Sequence, residues 1–181
     1  MIFTADQITT IQHQLAEERK VRPPQGVLQA VAALIGQGSA SALICESKSS
    51  DEQSTTWRVV GLLDSDCVFD VEAVGDEHDW DYGSWKDADG RVLFRLSAHL
   101  RSLSDVASLT LTGATSYGTR RGQGFDPDKR TEPWDVATTW EISWRDGSPT
   151  LALPTRTDAT AAEFAAAEAI VDKVRKVLEA R

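Results

Sequence analysis

Residues 76–90, DEHDWDYGSWKDADG, crowd carboxylates, a histidine and three aromatic rings into one stretch. Carboxylates at this density could serve a divalent cation, which needs oxygen ligands at fixed offsets. The order D-x-D-x-D-G is not met, because Gly83 stands where the ligand after Asp79 and Asp81 should be. A zinc site would draw on several His or Cys, and the chain has three His and two Cys. No metal site is expected. Trp80, Tyr82 and Trp85 suit another task, since amphipathic rings anchor protein interfaces. At about 15 residues the stretch is also long for a hairpin connection, and long loops often carry function.

A second stretch, residues 118–130, reads GTRRGQGFDPDKR. Its glycines, with Arg120 and Arg121, suggest a phosphate cradle. The form G-x-x-x-x-G-K-[ST] is absent, and no helix opens after the glycines to supply a dipole. The stretch reads as a hairpin loop whose tip, near Arg120 and Arg121, is a second candidate contact surface. Its charge is opposite to that of residues 76–90.

Nucleophilic chemistry finds no pattern. His13 falls on a helical stretch, His78 in the acidic loop and His99 on the outward face of a strand. Neither G-x-S-x-G nor H-E-x-x-H occurs. Carboxylates are too numerous to single out an acid–base pair. No catalytic residue and no cofactor is expected, and the reading is of a non-catalytic module that recognises a protein or peptide. Cys45 and Cys67 sit far apart in strand-like runs and read as free buried thiols.

Charge layout narrows the partners. The net charge is −9, and residues 46–90 hold 13 acids against 3 bases, a local −10. The other 15 acids and 16 bases nearly cancel. Non-specific binding to nucleic acid or to anionic lipid needs a net basic surface, so neither is expected. No apolar run approaches the roughly 20 residues of a membrane span. The opening MIFTADQITT has neither a basic nor an apolar leader segment, so a cytoplasmic location is expected.

The elements that must position these stretches follow from periodicity. The 181 residues imply one domain. At this length folding buries roughly 70% of the unfolded surface, enough to dispense with disulfides or metal. Residues 1–37 read as a pair of short helices. A capping box at Thr4–Gln7 precedes Ile8, Ile11 and Leu15, and Pro23-Pro24 precedes the stripe Val27, Leu28, Val31, Leu34 and Ile35. Gly36 closes the second helix.

Residues 39–153 read as about seven antiparallel strands in one meander, by alternation within 42–47, 56–63, 67–74, 91–101, 105–116, 134–145 and 151–153. Asp64-Ser65-Asp66 and Asp146-Gly147 supply turns. Residues 158–180 form a helix with Phe164, Ala167, Val171, Val174 and Leu178 on one stripe, expected to plug the apolar side of the sheet. On its wet side Asp172 is expected to pair with Lys176.

One register is implied. If strands 66–75 and 91–101 pair with Phe69 opposite Ala98, then Val71 meets Leu96 and Ala73 meets Phe94. Glu72 then faces Arg95, Asp66 faces Arg101 and Asp76 faces Arg91. Leu96, Ala98 and Leu100 would point inward.

The strand count and the closing helix, carried by residues 42–153 and especially WEISWRDGSPTLALP before Asp158, resemble a pleckstrin-homology-like barrel. The resemblance covers about three quarters of the chain, omits residues 1–37 and rests on element order. It implies an α+β fold and a non-catalytic binding module. The phosphoinositide version of that fold needs a basic first loop, whereas residues 48–54 set Lys48 against Asp51 and Glu52. The alternative is a helix-grip fold, which would carry a small hydrophobic ligand in a cavity under the last helix. Oligomeric state is left open.

Overall fold

A computed structural model describes residues 9–11, 23–36, 38–49, 54–76, 95–117, 135–154 and 161–181. The fold is α+β, with two antiparallel sheets and a C-terminal helix. In chain order come α1 (Gln25–Ile35), β1 (Ala40–Ser49), β2 (Ser54–Leu63), β3 (Cys67–Asp76) and β4 (Arg95–Ser102). A 3-10 turn, Leu103–Asp105, leads to β5 (Val106–Tyr117), β6 (Asp135–Trp144), β7 (Leu151–Leu153) and α2 (Ala161–Glu179). Residues 9–11 are helical, as their periodicity requires.

The single meander is corrected. Strands β1-β2-β3-β4 form one sheet and β5-β6-β7 a second, so the strands do not close into a barrel. The break falls between β4 and β5, where the 3-10 turn redirects the chain. Its Ser102 hydroxyl caps Ser104 N–H at 3.2 Å, and Leu103 is buried completely. Burying one leucine stabilises by roughly 1.5–3 kcal/mol, which holds the corner in place.

The first sheet buries apolar side chains on both faces, and each face has its own core. Trp57, Val59, Phe69, Val71 and Ala73 meet Val27, Leu28 and Val31 of α1, together with Ile11. The N-terminal helical segment is thus part of the core. On the opposite face Ala42, Ile44, Val60, Leu62 and Val68 meet Ile142, Trp144, Leu151 and Leu153 of the second sheet. Ala167, Ile170, Val171 and Val174 of α2 complete that core. Gly36, at φ 62°, ends α1 as expected.

The two predicted turns form. Asp66 takes φ 58°, a left-handed conformation that Asp tolerates. Gly147 takes φ 74°, with Ser148 N–H on the Asp146 carboxylate at 2.9 Å. The helix stripe also packs inward, although Phe164 and Leu178 are only half buried and Ile170 is fully buried in their place. The predicted Asp172–Lys176 pair does not form. Asp172 binds Arg175 at 2.6 Å, one residue nearer along the helix.

Strands β3 and β4 are neighbours and antiparallel, but the predicted register is wrong by two residues. Phe69 lies opposite Leu100, Val71 opposite Ala98 and Ala73 opposite Leu96, while Glu72 meets Ser97 and Val74 meets Arg95. Exposed ion pairs are worth about 0.2–1 kcal/mol each and do not decide the matter. Leu103 does: its N–H donates to the Asp66 carbonyl at 2.9 Å while its side chain fills the second core. That anchor at the end of β4 sets every pair before it.

Candidate partner-binding surface

Strand β4 is the last of its sheet, and its outer edge pairs with no strand among the described residues. Every residue from Arg95 to Leu100 is exposed. Leu96 is 42% and Leu100 49% accessible. Both share a face with Ala98, continuing the row of Phe69, Val71 and Ala73 beyond the area that α1 covers. The expectation that Leu96, Ala98 and Leu100 point into a core is therefore corrected. They lie on the correct face, but the covering helix packs mainly on β2 and β3 and only touches β4, leaving Leu96 and Leu100 exposed.

The other face of β4 carries Arg95, Ser97, His99 and Arg101. The Arg101 guanidinium lies 5.0 Å above the Trp144 ring, a cation–π contact that draws it toward the second sheet. His99 Nε2 and Ser97 Oγ are 2.9 Å apart, and Asp70 stands opposite His99. Ser, His and Asp together raise acyl-transfer chemistry. The Asp70 carboxylate, however, is held by Arg58 through contacts of 2.9 and 3.4 Å. Ser97 and His99 also lie open to water, where a preorganised oxyanion site would have little strength. Asp70 is thus engaged by Arg58, and Ser97 and His99 stand as an exposed pair on the sheet surface.

A second exposed apolar residue, Leu111, is 50% accessible on β5. It faces Trp140, whose Nε1 donates to Thr138 Oγ1 at 2.9 Å and whose ring lies 5.7 Å from the Arg175 guanidinium. Strand β5 carries two bulges, at Ala107 and Thr112, and burial falls off from Ile142 toward Thr138.

Trp80, Tyr82, Trp85, Arg120 and Arg121, the residues singled out from sequence, lie outside the described residues, as do His13 and His78. Among the described residues no group of three or more His, Cys, Asp or Glu could hold a metal. No helix among them is long and apolar enough to cross a membrane. Cys45 and Cys67 are free thiols, Cys45 buried and Cys67 partly exposed. Sequence reasoning missed Leu96 and Leu100 because alternation looks the same whether the apolar face meets a core or an external partner.

Neither protein-family models, curated proteins nor solved structures give a match to this chain.

Proposed function

We propose that the chain is a non-catalytic interaction module that receives an extended protein or peptide segment on the free edge of β4. The observation that carries this reading is Leu96 and Leu100, exposed on one face of a strand whose outer edge has no strand partner among the described residues. An incoming strand would gain ladder hydrogen bonds from the backbone and selectivity from alternate side chains. Apolar residues of the ligand would lie beside Leu96 and Leu100, and acidic ones beside Arg95 and Arg101. A four-strand meander, a three-strand meander and a closing helix also support a pleckstrin-homology-like frame, whose members are mostly binding modules. Fold alone does not assign function, so the argument rests on the edge.

The test is selection from a displayed library of random ten-residue peptides, followed by amide NMR mapping of a selected peptide on the full chain. Perturbations should centre on residues 95–102 and vanish in Leu96→Lys/Leu100→Lys. Perturbations confined to other strands would reject the assignment.

A further inference from the structure

We propose that the segment received by β4 is β4 of a second copy, giving a two-fold dimer centred on Ala98. The inference rests on the reading of β4 as a strand-addition edge and names its occupant. Residues 95–101 read Arg-Leu-Ser-Ala-His-Leu-Arg, the same from either end except for the exchange of Ser97 and His99. Antiparallel pairing about Ala98 sets Leu96 against Leu100 of the other copy, twice, with Ala98 against its own counterpart. A two-fold interface requires such self-complementarity, since each patch must match itself.

The Ala98 pair sits at the dyad, with one Leu96–Leu100 pair about 7 Å along the strand on either side. The pairing joins two four-stranded sheets into one continuous sheet and covers the side chains that are 42% and 49% accessible in the single chain. Ser97 meets His99 of the other copy, reproducing between chains the Ser–His contact of 2.9 Å within the strand.

The arginines limit the affinity. Arg95 would face Arg101 of the other copy, and like charges directly opposite are unfavourable. Arg101 is already drawn over Trp144, which softens the contact. The interface is also short, since one edge strand buries less than the roughly 1,200 Å² of a standard complex. The dimer is therefore weak and strengthened by salt.

Sedimentation of the full chain from about 1 to 500 µM tests this, a range that spans weak association. A monomer–dimer equilibrium is expected. Leu96→Ser/Leu100→Ser should abolish it. Arg95→Glu, which turns both facing pairs into Glu–Arg, should tighten it by about tenfold. In a Cys67→Ser background, Ala98→Cys should cross-link across the dyad under mild oxidation. A chain that stays monomeric, with Arg95→Glu monomeric as well, overturns self-pairing. So does a dimer indifferent to the two leucines. If such a monomer still takes selected peptides at residues 95–102, only the self-pairing falls. If it takes none there, the reading of the edge falls with it.

Discussion

Gly61 shows how narrow the tolerances are at single positions. It lies opposite Phe69, and a Cβ placed on it would stand 2.2 Å from the Phe69 ring and 2.8 Å from Leu43. Phe69 is fully buried beneath α1, so its ring has nowhere to retreat. Gly61→Ala should lower stability by about 1–3 kcal/mol through overpacking, measured by urea denaturation. At the β6–β7 turn, the Ser148 hydroxyl and then its backbone N–H hold the Asp146 carboxyl below its usual range. A depressed carboxyl contributes stability above its unfolded value of about 3.9 and loses it as pH falls through the folded value. Asp146 is fully exposed, so this contribution is local to the turn. Carboxyl NMR titration should show Asp146 rising toward its ordinary value in Ser148→Ala, and an unmoved Asp146 would contradict the assignment.

Among the elements, the 3-10 turn between β4 and β5 is the one on which the layout hinges. Leu103 plugs the second core from its own short turn, and Arg145 N–H donates to the Asp105 carbonyl at 2.9 Å. The C-terminal end of α2 is tied to the same region. The Arg181 guanidinium donates to the Val106 and Ser104 carbonyls at 2.7 and 2.6 Å, and Lys173 reaches Asp66 at 2.8 Å. Leu103→Ala should cost about 2–5 kcal/mol. Hydrogen exchange should show β4 amides losing more protection than those of β2. Equal loss across the sheet would mean that Leu103 does not anchor the register. Helix α2 itself was legible beforehand, because a 3.6-residue apolar period survives in any tertiary context.

For the whole molecule, the decisive feature is a sheet that buries apolar residues on both faces. Helix α1 covers one face, and α2 together with the second sheet covers the other, so the two helices contribute to separate cores. Val31→Asp on α1 should therefore be as disruptive as Val174→Asp on α2, both placing a charge where neither residue is accessible to water. Calorimetry should show a large fall in melting temperature for each. If only the α2 change matters, the first core is not needed for the fold.

Strands, turns and the last helix were determined by the sequence alone. Their signals are local: period two in β3 and β6, the turn residues Asp64-Ser65-Asp66 and Asp146-Gly147, and the stripe through Val171 and Val174. What only the tertiary structure decided is how those pieces divide between two sheets, which register joins β3 to β4, and which apolar face is left open. Each depends on contacts between distant residues, with Leu103 against the second core and α1 leaving Leu96 and Leu100 exposed. A strand's alternation states that it has one greasy side, and only its neighbours in space determine what that side meets.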